Sequence, residues 1–162
     1  MKPIINLDEL EMISHTNAGF EGKYGLISGR IGAKKLGYNF TVCPPGKSVC
    51  PFHNHRGEEE MFLILEGEGI LRFGDAEYPL RKNDVVACPV GGREVAHQMI
   101  NTGTTDLKYL AISTLERVEV CEYPDSDKVG IYVGTQEKRE LRLLFKASDA
   151  VDYYVGESFP RD

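Results

Sequence analysis

The sequence is short of several features that would identify large functional classes. It has no run of about 18 apolar residues, so no membrane-spanning helix is expected. Its first 20 residues contain no apolar segment typical of a secretion signal, so we expect a cytoplasmic protein whose four cysteines are reduced thiols. Positive charge is also in deficit, and the formal net charge of −6 argues against a nucleic-acid partner. No Ser-His-Asp set or phosphate-binding glycine loop indicates a reaction.

Histidine is scarce, but its placement is informative. Two of the four histidines, His53 and His55, stand two positions apart. Side chains alternate between the two faces of a strand, so both imidazoles are predicted to point the same way. Glu60 then opens an apolar run that has the length of a buried strand. A buried carboxylate without a partner is costly, and a metal ion shared with the two histidines would explain this one.

A third histidine supports a metal site. His97 lies in the stretch 94–101, a second predicted strand, where it shares a face with Val95 and Met99. Three neutral imidazoles and one carboxylate suit Zn, Fe, Mn or Ni better than Ca or Mg, which prefer oxygen ligands. We therefore predict one divalent transition metal of undetermined identity, held by His53, His55, Glu60 and His97.

At these positions the chain resembles the cupin family. The first cupin motif is usually a glycine, five residues, His-x-His, three or four residues, a glutamate, six residues and a glycine. Six residues, rather than five, follow the first glycine here. The matching positions in this chain are Gly46, His53, His55, Glu60 and Gly67.

The second cupin motif matches less closely. It is usually a glycine, five residues, Pro-x-Gly, two residues, a histidine, three residues and an asparagine. Asn83 replaces the first glycine, a mild change because asparagine also tolerates a left-handed turn. Pro89, Gly91, His97 and Asn101 match, but five residues separate Gly91 from His97. The longer loop is predicted to alter the mouth of the site.

The resemblance covers residues 38–115 and implies an all-β fold, a double-stranded β-helix or jelly-roll barrel. Many short strands at regular spacing, separated by turn residues, favour an all-β sandwich or barrel independently. We expect one domain over 1–162, with an N-terminal arm and first strands over 1–37, the barrel core over 38–115 and a C-terminal extension over 116–162.

The two ends of the chain give weaker signals. Asn6 is predicted to cap a short helical turn, and His15 is interpreted as a solvated loop histidine rather than a ligand. In the extension, strands are predicted over 130–134 and 141–145 around a charged turn at 136–139. The segment 147–156 is predicted as a short helix or an extended tail.

Glu59 is the alternative carboxylate ligand, since the family allows either spacing. In the strand that starts near residue 60, Glu60 shares a face with Phe62 and Ile64, whereas Glu59 shares the opposite face with Met61. If Phe62 and Ile64 face the barrel interior, Glu60 is the ligand.

The face of that strand with Met61, Leu63 and Leu65 is also apolar. One barrel interior can bury only one of the two faces, so the other needs a cover. We expect a partner subunit, and hence a homodimer, to provide it. The alternative is that residues 116–162 fold back over their own barrel.

Several further residues are candidates near the site. Cys50 is either a fifth ligand or, more in keeping with its type, a buried structural thiol. Arg56, Arg72 or Arg93 could hold an acidic ligand, although a solvated surface position is the simpler interpretation of each. Gln98 and Tyr109 are possible hydrogen-bond donors behind the ligands.

Arg93 is the arginine we assign to substrate binding. It follows a glycine pair in the lengthened loop just before His97, so it is predicted to lie near the metal. Glycines allow conformations that suit a moving lid, and arginine can hold a carboxylate in two parallel hydrogen bonds.

Two function classes remain open. The first is a metal-dependent enzyme that acts on a small polar or anionic metabolite; the resemblance implies the oxygenase, isomerase or epimerase, and decarboxylase classes. The second is a non-catalytic module that uses the same pocket to bind or sense a small molecule.

Overall fold

The regular secondary structure of the chain consists almost entirely of short β-strands. The computed structural model describes residues 2–135 and 138–159. One four-residue helix, α1 (Ser28–Ile31), interrupts the strands, and none of the helices in the described ranges is long and apolar enough to cross a membrane. The strands are β1 (Ile13–Asn17), β2 (Phe20–Leu26), β3 (Leu36–Cys43), β4 (Asn54–His55), β5 (Glu60–Glu66), β6 (Glu68–Phe73), β7 (Ala76–Arg81), β8 (Val85–Cys88), β9 (His97–Ile100), β10 (Leu107–Thr114), β11 (Val118–Tyr123), β12 (Lys128–Gly134) and β13 (Arg139–Lys146).

These strands form three antiparallel sheets. The largest has the order β1-β2-β3-β10-β5-β8, a second has the order β13-β12-β11-β4, and a third has the order β7-β6-β9. The second sheet joins the C-terminal extension to β4, the strand that carries His55. The all-β prediction is therefore confirmed.

Side chains along the central strands alternate between buried and less buried positions, and the buried ones form the interior. In β5, Phe62 and Ile64 are buried, while their direct neighbours along the strand are only half-buried. On β10 the register places Ala111 opposite Phe62 and Tyr109 opposite Ile64, so these buried side chains form one face. The buried cluster comprises Cys43, Phe62, Ile64, Leu71, Leu80, Val86, Cys88, Met99, Leu107, Tyr109 and Ala111.

The motif residues outside the histidines have structural roles. Asn83 has a φ of 73°, the left-handed conformation expected from its place in the motif. Gly67 also has a positive φ of 82°, and a Cβ there would lie 2.4 Å from the Asp106 carbonyl oxygen. Buried Asn101 donates hydrogen bonds to the carbonyls of Cys43 and Thr105, at 2.8 Å each. These turns fix the strands on both sides of the site.

Two local predictions of secondary structure are wrong. His15 is exposed, but it lies in β1, which pairs with β2, rather than in a loop. Val95 belongs to a 3₁₀ turn, Arg93–Val95, and the strand starts only at His97. His97 still alternates with Met99 on the inward side, where both are buried.

The terminal segments follow the predicted types. Asn6 caps the 3₁₀ turn Leu7–Glu9 through a hydrogen bond from the Asp8 amide to its side chain. β12 and β13 contain the two predicted C-terminal strands, although residues 136 and 137 of the predicted turn lie outside the described ranges. The segment 147–156 is an exception, because a 3₁₀ turn, Ala147–Asp149, and a further hydrogen-bonded turn over residues 153–156 stand in place of the predicted short helix or extended tail.

Candidate metal centre

Three imidazoles meet at one carboxylate inside the barrel. Nε2 of His97 lies 3.0 Å from Oε2 of Glu60, Nε2 of His55 lies 3.3 Å from the same oxygen, and Nε2 of His53 lies 3.9 Å from it. One ligand atom from each residue can be chosen so that all four lie within 4.8 Å of one another. The structure thus brings together all four residues that the sequence nominates.

The other ring nitrogen of each histidine faces an acceptor. Nδ1 of His53 lies 2.8 Å from the Pro51 carbonyl oxygen, and Nδ1 of His97 lies 3.3 Å from the Val95 carbonyl oxygen. A proton on these Nδ1 atoms leaves the Nε2 lone pairs directed at the common centre. Nδ1 of His55 instead lies 3.3 Å from a carboxylate oxygen of Glu119.

Backbone pairing sets this geometry. His53 and His97 form an antiparallel bridge in which each amide donates to the other carbonyl, at 3.1 Å and 2.7 Å. β4 carries His55 beside β11, and a turn over residues 56–58 leads into the strand that begins with Glu60. The segments that carry the four residues are therefore fixed by main-chain hydrogen bonds before any side chain is considered.

The site separates the protonation states of its histidines. Burial, aided by the charge of His97, lowers the pKa of His53 from 6.5 to about 4. Burial also acts to lower the pKa of His55, but the carboxylates of Glu119 and Glu60 outweigh it and raise that pKa to about 10. Burial acts to raise the pKa of Glu60, yet contacts with His55 and His97 hold it well below its usual range. Without metal, a protonated His55 therefore lies beside an ionised Glu60 at neutral pH.

The donor set fits a divalent transition metal. Among the described residues, neither ring nitrogen of buried His55 has a well-aligned hydrogen-bond partner, although two carboxylates lie within 3.3 Å. Three imidazole nitrogens and one carboxylate oxygen are ligands that Zn, Fe, Mn and Ni accept. A cation at their centre would satisfy His55 Nε2 and relieve the crowding around Glu60 Oε2.

The choice between the two neighbouring glutamates follows from their positions. Glu60 is only 19% exposed in its side chain and lies among the histidines, whereas Glu59 is exposed. The Glu59 amide donates to the Thr114 hydroxyl at 3.0 Å, which fixes the backbone where β5 begins. The structure thus places Glu60, and not Glu59, in the group that could hold a metal, as the alternation of strand faces predicts.

Three other candidates lie apart from the ligand atoms. Cys50 is not in the described group that could hold a metal, and burial raises the pKa of its thiol to about 12. The Gln98 amide accepts from Arg72 and donates to the Cys50 carbonyl. Tyr109 packs edge-on against Phe62, with ring centroids 5.8 Å apart, so it belongs to the core.

The arginine candidates have partners within the protein. Arg56 forms a forked ion pair with Glu122, with its closest contact at 2.9 Å. Arg72 packs over the Phe52 ring and pairs with Asp125 at 2.9 Å. Arg93 is 66% exposed in its side chain, and its guanidinium lies 3.9 Å from Asp75.

Sequence reasoning missed Glu119, the carboxylate behind His55. Its side chain is 6% exposed, and its oxygens accept hydrogen bonds from the amides of Arg56, Gly57 and Glu58 at 3.1, 3.1 and 2.6 Å. Glu119 belongs to β11, far along the chain from the motifs. A glutamate within the apolar alternation of that strand was the available signal.

Two surface depressions lie away from this group. One of about 400 Å³ is lined mainly by residues of β7 and β8, and another of about 300 Å³ is lined by residues of β1, β2 and β3. Neither includes a residue of the His/Glu group.

Comparisons with known proteins match the part of the chain that carries the His/Glu group. Residues 39–113 match the family model described as Cupin domain. The curated oxalate-binding protein of Thermotoga maritima is 40% identical over 72 residues, which are 44% of this chain and 56% of the relative. The chain therefore spans little more than half the length of that relative.

Solved structures extend the likeness over most of the chain. The structure of a sugar phosphate isomerase from Silicibacter pomeroyi covers 91% of this chain and 95% of its own, with a TM-score of 0.78 and 21% identity. A structure described as a predicted oxalate decarboxylase from Thermotoga maritima covers 70% of this chain and 99% of its own, with a TM-score of 0.61 and 28% identity. These likenesses confirm the jelly-roll prediction.

Proposed function

We propose that this chain, which belongs to the cupin superfamily, binds one divalent transition metal and takes up a small anionic metabolite at that metal. The observation that carries the proposal is the convergence of three Nε2 atoms on one oxygen of Glu60. The ligands of the metal in this proposal are His53, His55, Glu60 and His97.

The chain's own residues prepare such a site for an anion. A bound divalent metal supplies positive charge that attracts a carboxylate and polarises it. Glu60 contributes one negative charge against the two of the metal, and the histidines bind it as neutral ligands. The site thus keeps a net positive charge. The apolar cluster around Phe62 and Met99 limits water on the inner side.

Similarity supports an anionic oxygen ligand. The relative that is 40% identical is an oxalate-binding protein, and one structural neighbour is described as a predicted oxalate decarboxylase. We therefore propose a small carboxylate, with oxalate as the first compound to test.

The test compares metal-loaded and metal-free protein. We expect Mn²⁺-loaded protein to bind oxalate in calorimetric titration, and metal-free protein to bind none. A His53→Ala, His97→Ala double variant should lose both Mn²⁺ and oxalate. Equal oxalate binding by the wild type and the double variant would contradict the proposal. Analysis of the ligand after incubation then separates the two classes, because an enzyme converts it and a sensor returns it unchanged.

Arg93 remains our proposed contact for the anion. Its side chain is largely exposed, and its ion pair with Asp75 is long at 3.9 Å, so it is free to turn toward a ligand at the site mouth. The loop is anchored beside the ligands, because the Gly91 amide donates to the His55 carbonyl at 2.9 Å. We expect Arg93→Ala to weaken oxalate binding about tenfold, roughly 1.4 kcal/mol, with metal content unchanged.

The control for Arg93 is another exposed arginine. Arg81 is 86% exposed in its side chain and lies on β7, so Arg81→Ala should leave oxalate affinity unchanged. Equal affinities for wild type and Arg93→Ala would assign Arg93 to the solvated surface.

We further propose that two copies of the chain form a homodimer. Leu143 and Phe145 of β13 are 47% and 40% exposed, and Tyr153 and Phe159 of the tail are 86% and 97% exposed. The tail therefore does not pack on the half-buried Met61 face of its own barrel. Contiguous exposed apolar surface on an arm favours burial against a partner.

Sedimentation tests the dimer. We expect about twice the 18.1 kDa chain mass at micromolar concentration. A Leu143→Ser, Phe145→Ser variant should shift the protein toward monomer, whereas the neighbouring Arg142→Ser should not. A wild-type mass of a single chain would contradict the proposal.

A further inference from the structure

We propose that Glu119 is a positioning residue of the metal centre, through which the C-terminal extension orients the ligand His55. This inference rests on the proposed function, since it assumes that His55 binds a metal. Glu119 lies outside the residues 39–113 that match the cupin domain model. The metal centre would therefore include a part of the chain that the domain model does not cover.

The geometry points from Glu119 to His55. The carboxylate lies 3.3 Å from Nδ1, the nitrogen on the far side of the ring from Glu60. A carboxylate at this place selects the tautomer with the proton on Nδ1 and makes Nε2 a better metal ligand. His53 and His97 have only backbone carbonyls at the equivalent nitrogen, so His55 is the one of the three that a side chain orients.

Glu119 is itself held in place. Its two oxygens accept three backbone amide hydrogen bonds from the turn over residues 56–58, which joins the ligands His55 and Glu60. Gly57 permits this approach, because a Cβ there would lie 2.8 Å from a Glu119 oxygen. Three amide donors hold a buried carboxylate in a fixed position.

The same contacts argue against a second cation beside Glu119. Ligand atoms of His55, Glu58 and Glu119 also lie within 4.8 Å of one another. Amide hydrogens already surround both Glu119 oxygens, so the carboxylate sits in an anion-binding turn rather than in a cation site. Its remaining role is toward the imidazole of His55.

A double-mutant cycle tests the role with Co²⁺ as the probe. Affinity is measured by competition with a chelator in full-length wild type, Glu119→Gln, His55→Ala and the double variant. Glutamine keeps the size of the side chain and removes its charge. We expect Glu119→Gln to weaken Co²⁺ binding about 10–100-fold and to alter the visible Co²⁺ spectrum. In the His55→Ala background the same change should have little effect, because Glu119 acts through His55.

Glu122→Gln is the matched control on the same strand. Glu122 pairs with Arg56 and Asn54 and has no described contact with a histidine, so its Co²⁺ affinity and spectrum should match those of the wild type. Should Glu119→Gln fail to fold by circular dichroism, Glu119→Asp enters the same cycle, because its shorter side chain draws the carboxylate away from His55 while it keeps the charge. The same loss of Co²⁺ affinity is then expected.

Three outcomes are distinguishable. An equal loss from the Glu119 change in both backgrounds would make Glu119 merely structural and overturn the inference. Unchanged Co²⁺ affinity in a folded Glu119 variant would overturn it as well. Failure of the wild type to bind Co²⁺ would instead overturn the proposed function, and this inference with it.

Discussion

Replacing Glu60 by glutamine should reduce metal affinity about 100-fold or more, whereas replacing Glu59 by glutamine should leave affinity unchanged. Loss of an outer partner of a ligand costs roughly 10–100-fold, and loss of a ligand charge should cost at least the upper part of that range. Glu60 is the only carboxylate whose oxygen faces the Nε2 atoms of all three histidines in the described chain. Glu59 lies on the exposed side of the strand start.

The two variants form a matched pair, because each removes one negative charge at adjacent positions. Chelator competition with Zn²⁺ or Co²⁺ gives the affinities, and thermal unfolding with and without metal gives an independent measure. Metal should raise the unfolding temperature of Glu59→Gln as it does that of the wild type, and should raise that of Glu60→Gln much less. A loss of affinity confined to Glu59→Gln would show that the strand register is misassigned.

The sequence predicts the grouping of the three histidines with Glu60 well because its rules are local. Side chains two positions apart lie on the same face of a strand, so His53 shares a face with His55, and Glu60 with Phe62. Each of these two assignments depends only on the geometry of a few neighbouring residues. The same rule separates Glu60 from Glu59 without any knowledge of the fold. His97 lies on a distant predicted strand, where its residue type and strand face nominate it and the second cupin motif supports the assignment.

Glu119 could not be found in this way. It reaches His55 only because β11 pairs with β4, and no local pattern states which distant strands will pair. The strand β1 was missed for another reason. All five of its residues are exposed, so it lacks the alternation of apolar and polar residues that identifies a half-buried strand.

The start of β9 was also misjudged. The residues before His97 read as a continuous strand, but Gly92 and Val95 close a 3₁₀ turn with an amide-to-carbonyl bond of 3.1 Å. The turn accommodates the extra residues that separate Gly91 from His97, and it leaves Arg93 exposed. Loop conformation depends on such specific bonds rather than on periodicity, which explains why the strand pattern failed there.

Metal binding near pH 7.5 should release about one proton, and that proton should come from His55. The pKa of His53 is lowered to about 4, so this ring is already neutral. The pKa of Glu60 lies well below its usual range, so this carboxylate is already ionised. The pKa of His55 is raised to about 10, chiefly because Glu119 and Glu60 outweigh burial. A metal at its Nε2 must therefore displace a proton.

The direction of the pH dependence follows from that raised pKa. The folded metal-free protein favours protonated His55, so this stabilisation is fully present below about pH 6.5 and is lost as pH rises through about 10. Metal affinity increases with pH instead, because the metal competes with the His55 proton. It should rise about tenfold per pH unit between pH 7 and 9. Calorimetric titration in two buffers with different ionisation enthalpies counts the protons released. The His55→Ala variant should release almost none, and a wild type that also releases none would refute the assignment of the proton to His55.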